Sequence, residues 1–315
     1  MTVPTSYDFE PEPTVAPPLD ANDQTALWNG AAGRAWVETQ ALLDAMFAAF
    51  VPVLLEPLAQ RPGADVLDVG CGTGALALAA ARAGAVCAGV DVSAPMIELA
   101  RARAASEGAN ARFVCADAQR YDFGAARYDL ILSRLGVMFF DDPVAAFAHL
   151  RGAVREGGAM RFLAWRGAAE NPFMTTAERA AAPLLPELPP RRPGGPGQFA
   201  FADARQVREI LQQAGWRAVD IRPVELECGF AACELPAYLS RLGPVGLAPT
   251  RRTGRGSSRR SRRRSHRSGA ATRSVSALLA GAWTLRFDLR LRRGAGRRRE
   301  CVPPPLVRKA PCLSD

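Results

Sequence analysis

Val66–Gly74, VLDVGCGTG, decides how this 315-residue chain is read. An apolar run of strand-forming residues leads into a turn with glycine at 70, 72 and 74, and the Ala-rich stretch 75–82 then has helical composition. Glycine lets the backbone adopt turn dihedrals and lets a ligand approach without meeting a Cβ. The helix start offers unpaired N–H groups to a polar ligand. Taken alone the loop is ambiguous, because Gly70-x-Gly72-x-x-Ala75 also satisfies the loose dinucleotide fingerprint.

Outward from this loop the pattern alternates. Strands are expected at 65–70, 85–92 (with VCAGVDV), 111–115, 128–133 and 159–165, with helices at 75–82, 95–106 and 143–154 between them. Gly157-Gly158 is expected to turn the chain before the fifth strand. Short apolar strands alternating with longer helices imply an α/β fold, a doubly wound and mostly parallel sheet with helices on both faces. Upstream, Leu27, Trp36, Leu42, Leu43, Met46 and Phe47 recur at helical spacing, which predicts two helices over 23–50. Downstream, Asp203 has the chemistry of a helix N-cap, Gly215 that of a stop, and 218–227 alternates like a half-solvated strand.

The carboxylates give the loop its meaning. Asp91 ends the second strand, 21 residues after Gly70, where a carboxylate can bind ribose hydroxyls. Asp117 follows the third strand and can accept from an adenine amino group, with the Ala118 N–H beside it. Asp68 lies inside the first strand, where a charge costs several kcal/mol unless something pairs with it. A ligand ammonium would serve, and so would a buried arginine. Three carboxylates at the C-terminal ends of three strands face the crevice where open α/β sheets bind ligands. Ammonium, ribose and adenine together describe S-adenosylmethionine, whereas a nicotinamide dinucleotide offers no ammonium. An NAD-dependent oxidoreductase is therefore the weaker alternative.

With VLDVGCGTG (66–74), GVDVSAPMIELAR (89–101), FVCADAQ (113–119), YDLILSRLGVMFFDDP (128–143) and LRGAVREGG (150–158), the chain resembles the class I S-adenosylmethionine-dependent methyltransferases. Within them it is similar to the small-molecule group related to quinone-biosynthesis methyltransferases. The resemblance implies a Rossmann-like sheet of seven strands ending in an antiparallel hairpin. It also implies S-adenosyl-L-methionine as cofactor, contacted by Asp68, Gly70, Gly72, Asp91, Met96, Asp117, Ala118 and Ser133. Met96 would pack on the adenine, and Ser133 would lie beside the methionine part. The implied partner is a small-molecule acceptor. The fourth strand continues as SRLGVMFF, without the Asn/Asp-Pro-Pro-Tyr/Phe motif of enzymes that methylate amide or exocyclic nitrogens. No catalytic base is identified. His149 reads as a helix-surface or packing residue, and Trp28, Trp36, Phe139, Phe140, Trp165 and Phe173 read mostly as core, a minority walling an acceptor pocket.

Composition sets the boundaries. Seven scattered cysteines without a C-x-x-C pair, and two histidines, argue against a metal site and fit a reducing compartment. Neither a signal-like start nor an apolar run of membrane length is present, so a cytoplasmic protein without a membrane span is expected. The net charge of +9 divides unevenly: residues 251–315 carry +16 and residues 1–250 carry −7. The expected organisation is a Pro-rich N-terminal arm (1–22), a methyltransferase domain (23–250, core 60–166) whose loop 183–197 is a candidate lid, and a basic low-complexity tail (251–315). The tail, with RRTGRGSSRRSRRRSHRSG at 251–269, could tether nucleic acid. Its composition, with one lysine against 39 arginines in the whole chain, fits better an out-of-frame translation of GC-rich DNA or a divergent tail. The family pattern stops after LSRLGPVG (239–246), so the last strand is expected to be missing or replaced, although WTLRFDLRL (283–291) alternates as a strand does.

Overall fold

The computed structural model describes residues 23–172, 174–175, 195–242 and 280–288. The arm 1–22, Phe173, residues 183–194 of the candidate lid and most of the basic tail lie outside the described residues. Four short helices open the fold: α1 (Gln24–Asn29), α2 (Ala31–Glu38), α3 (Gln40–Met46) and α4 (Phe50–Leu55). The apolar spacing that predicted two helices is thus broken into four, at Gly30, Thr39 and Phe47. Asp23 starts α1 by accepting the Ala26 N–H at 2.9 Å.

The alternating core follows: β1 (Asp65–Val69), α5 (Ala75–Arg82), β2 (Val86–Asp91), α6 (Ala94–Glu107), β3 (Ala111–Cys115), β4 (Tyr128–Arg134), α7 (Pro143–Ala153) and β5 (Val154–Trp165). β5 starts five residues earlier than the expected 159. Gly157 (φ +78°) is absorbed as an irregularity in its pairing with β4 rather than ending the segment. The remaining elements are α8 (Ala204–Gln213), β6 (Val219–Leu226), α9 (Leu235–Arg241) and β7 (Ala280–Asp288). Asp203 caps α8 by accepting the Arg205 N–H at 2.8 Å, and Gly215 turns the chain at φ +84°.

The sheet runs β3-β2-β1-β4-β5-β7-β6. The first five strands are parallel, and β7 is antiparallel to both neighbours. This is the Rossmann-like, mostly parallel sheet with flanking helices that the alternation predicts. The final strand, expected to be missing or replaced, is supplied by Ala280–Asp288 from within the arginine-rich region. Average composition hid it, while the local period-two alternation marked it. β1 is buried along nearly its whole length, as a central parallel strand must be when helices cover both faces. Because strand order reverses between β1 and β4, the crevice beyond their C-terminal ends is the natural ligand site.

Candidate active site

At the end of β1 the chain turns through Gly70 (φ +66°), Gly72 (φ +54°) and Gly74 (φ +85°), a left-handed region that disfavours other residues. Gly70 has a second constraint: a Cβ there would lie 2.7 Å from the Cα of Gly136, just beyond β4. The Gly72 N–H donates to Asp91 Oδ2 at 2.9 Å, while Asp91 Oδ1 accepts the Ser93 N–H at 2.9 Å. Burial raises the Asp91 pKa above the ordinary carboxylate value, and the N–H groups of Ser93, Gly72 and Val92 oppose that rise. Asp91 is therefore a fixed carboxylate at the mouth of the glycine loop.

Asp117 lies one strand further along. Its Oδ1 accepts from the Gln119 N–H (2.9 Å) and from Gln119 Nε2 (3.2 Å), while Gln119 Oε1 accepts the Asp141 N–H at 2.9 Å. Gln119 thus ties the loop after β3 to the loop before α7, a role that its place in FVCADAQ did not reveal. On the other side of the crevice, Asn29 of α1 donates to Val92 O and accepts the Ala94 N–H, both at 2.9 Å. The Ser93 hydroxyl donates to Trp28 O at 2.7 Å. The N-terminal helices are clamped in this way onto the β2–α6 loop.

Between these walls lies a cavity of about 780 Å³, in the upper part of the range of small-molecule pockets. One end is made by Gly70, Gly72, Asp91, Met96, Asp117 and Ala118, so six of the eight predicted site residues share one space. The rest of the lining is largely apolar and aromatic, with Trp36, Met46, Phe47, Met138 and Trp165 among the walls. Trp28 meets Trp36 and Phe139 edge-on, with ring centroids 5.8 and 5.2 Å apart. Phe140 and Trp165 are buried in the core and also reach the cavity. His149 packs against Phe123, and its Nε2 contacts Tyr121 O at 2.7 Å, which is a packing role. Among the described residues no cluster of three His, Cys, Asp or Glu is placed to hold a metal, and no single helix is long and apolar enough to cross a membrane.

The other two predicted residues differ from these six and from each other. Asp68 is 1% exposed and lines a small recess beside the main cavity, together with Arg134. Its Oδ2 accepts the Ala77 N–H at 3.1 Å in the first turn of α5, and its Oδ1 is buried without a hydrogen-bond partner. Burial pushes its pKa up to about 7, against the lowering effect of the Arg134 charge. Ser133 does not reach the ligand space. Strand alternation turns it away from the face of Leu132 and Arg134, and its buried hydroxyl accepts the Gly136 N–H at 3.2 Å. Arg134 and Gly136 form the wall in its place. Arg134 was overlooked, yet the period of two along β4 was signal enough to find it.

A methyltransferase domain family matches residues 66–158, the segment from β1 to the start of β5. The malonyl-[acyl-carrier protein] O-methyltransferase of Pseudescherichia vulneris is 36% identical over 110 residues, 35% of this chain and 42% of that one. The ubiquinone biosynthesis O-methyltransferase of Coxiella burnetii is 32% identical over 114 residues, 35% of this chain and 49% of that one. The chain spans about half the length of the curated relatives it matches. Among solved structures, an N-methyltransferase of Haemonchus contortus in complex with phosphomonomethylethanolamine and S-adenosylhomocysteine has the same fold. It superposes with a TM-score of 0.52 at 15% identity, covering 83% of this chain and 60% of that one. The glycine loop and the carboxylates at successive strand ends lie within the matched segment, so residues 66–158 are similar to a methyltransferase domain.

Proposed function

We propose that the protein transfers a methyl group from S-adenosylmethionine to a small, largely apolar acceptor. The observation that carries this reading is Asp68: a carboxylate oxygen buried at the glycine loop with no hydrogen-bond partner in the protein is suited to a ligand ammonium. Asp91 would receive the ribose hydroxyls through the lone pairs that Gly72 and Ser93 leave free. Asp117 and the Ala118 N–H would receive the adenine, and Met96 would pack against it. Bound there, the cofactor would supply an electrophilic methyl group on a sulfonium. The names of the two O-methyltransferase relatives favour an oxygen acceptor.

The chain's own contribution is shape, dryness and alignment. A pocket walled by Trp36, Phe47, Met138 and Trp165 excludes water and holds an apolar acceptor in line, which is worth ~7–11 kcal/mol when two reactants are well oriented. Tyr238 also lines the cavity, but burial pushes its pKa up to about 12, so it stays a neutral phenol near pH 7 and is no general base. We assign no general base in the cavity, and an acceptor whose nucleophile ionises readily or needs no early proton loss requires none. Calorimetric titration of the full chain with S-adenosylhomocysteine tests the cofactor assignment. Micromolar binding supports it and opens acceptor screening with labelled cofactor. Absence of binding by the folded chain refutes it.

A further inference from the structure

The reading above leaves Tyr238 in the cavity wall without a task. Tyr238, Arg241 and Leu242 fall on one helical face at the end of α9, at spacings of three and four, and all three line the cavity. Two contacts fix that face. Arg241 pairs with Glu38 at the end of α2, two residues beyond the cavity residue Trp36. The Tyr238 ring stacks on Phe230, with centroids 5.0 Å apart and planes 30° apart. α9 thereby meets the helix that carries the aromatic cluster: Trp36 stacks on Phe47 at 6.4 Å, and Phe47 meets Trp165 at 6.0 Å. Among the described residues no hydrogen bond, ion pair or ring contact joins α9 to the glycine loop, Asp91 or Asp117. Tyr238 therefore belongs with the walls assigned to the acceptor.

The Tyr238 hydroxyl makes no hydrogen bond among the described residues. Burial keeps it protonated, with its pKa pushed up to about 12. It is a neutral O–H donor on a ring held in place, set among largely apolar walls. Water can take its bond while the cavity is open. Once an acceptor fills the space and expels that water, a donor left unpaired is penalised. An acceptor that brings an oxygen to Tyr238 is thus favoured over one that brings hydrocarbon. That oxygen is not the one to be methylated: the attacking oxygen gives a lone pair to the methyl carbon, and a hydrogen bond donated to it makes it a poorer nucleophile. The rings around the site favour a flat aromatic body. We propose that Tyr238 selects the acceptor by donating to a second, neutral oxygen on an aromatic compound, apart from the hydroxyl that takes the methyl group. This rests on the methyl-transfer reading above and adds to it a residue and a substrate class, hydroxyaryl compounds that also carry a carbonyl.

Calorimetry on the full chain tests the proposal. S-Adenosylhomocysteine is titrated first. With that probe at saturation, meta- and para-hydroxyacetophenone are each compared with the ethylphenol of the same substitution, in which a methylene replaces the carbonyl. Wild type is expected to bind one of the two ketones at least tenfold more tightly than its ethylphenol counterpart. Tyr238→Phe is expected to weaken that ketone at least tenfold while leaving the ethylphenol and S-adenosylhomocysteine as before. Unchanged S-adenosylhomocysteine binding also shows that the variant is folded, and the wild-type comparison does not depend on the variant. Equal binding within both pairs, no binding of either ketone, or a ketone preference that survives in Tyr238→Phe overturns the assignment of Tyr238 while the cofactor reading stands. A wild type that binds no S-adenosylhomocysteine overturns the cofactor reading and the proposal with it, which is a different result from a failure of Tyr238.

Discussion

Gly70 and Gly136 are each glycine because of the other. A side-chain carbon added at Gly70 would lie 2.7 Å from Gly136 Cα, and one added at Gly136 would lie 2.7 Å from Gly70 Cα and 2.8 Å from Val69 O. The two backbones cross in contact where β1 and β4 deliver their loops to the cavity. Gly136→Ala should push these loops apart. The expected result is a loss of about 1–3 kcal/mol in stability, as for overpacked cores, with at least tenfold weaker S-adenosylhomocysteine binding. Thermal unfolding and calorimetry on the same preparation check both. Wild-type affinity in this variant would show that the crossing does not shape the pocket.

Much of this was legible in the sequence because it is local. The glycine loop, the carboxylates that end β1, β2 and β3, and the caps at Asp203 and Gly215 each depend on residues close in the chain. What escaped was non-local. Arg134 meets Asp44, which Arg103 also engages; these partners sit on α3 and α6, and no spacing in the chain relates the three. Ser133 and Arg134 are neighbours in sequence yet face opposite sides of the sheet, so assigning the pocket wall to Ser133 missed by one step of the strand period. The breaks that make four helices of two, at Gly30, Thr39 and Phe47, follow from how the N-terminal segment bends around the cavity. β7 was obscured by the arginine-rich sequence around it, although its own alternation was visible.

Asp91 joins the glycine loop to the β2–α6 loop and, on the proposed reading, to the ribose. Asp91→Ala removes a charge-assisted acceptor and frees the N–H groups of Gly72 and Ser93. Affinity for S-adenosylhomocysteine is expected to fall more than tenfold. Asp91→Asn, which can still accept from one of the two N–H groups, should fall in between. Equal affinity in a folded Asp91→Ala would remove this residue from the site.

The placement of β7 makes a claim about the basic region. β5 pairs with it from Ala159 to Trp165, and β6 reaches the sheet only through it. A chain ended at residue 250 should expose both edges and lose several kcal/mol, about 10 °C or more in a domain of this size. Leu285→Pro in the full chain removes one backbone donor at the middle of the strand and should lower the unfolding temperature in the same direction. If the shortened chain melts with the full one, the sheet does not depend on residues 280–288.

Asp68 is expected to set stability against binding, and pH separates the two. Its pKa stands at about 7 in the folded protein against an ordinary 3.8, so the folded state holds the proton more tightly than the unfolded chain does. The resulting stabilisation is complete below pH 3.8 and is lost as pH rises through 7, a loss of a few kcal/mol. Asp68→Asn keeps an acceptor for the Ala77 N–H and never ionises, so it should melt above wild type at pH 8 and converge with it near pH 4. The charge that is costly in the empty protein is the one an ammonium needs. On the proposed reading, wild-type affinity for S-adenosylhomocysteine should rise as pH passes upward through 7, with a proton released on binding below that point. Asp68→Asn should bind at least tenfold more weakly at pH 8 and lose most of that pH dependence. Melting curves at two pH values, and calorimetry in buffers of different ionisation enthalpy, measure both effects. A variant that is stabler at pH 8 yet binds as well as wild type would leave Asp68 a helix-capping carboxylate and no more.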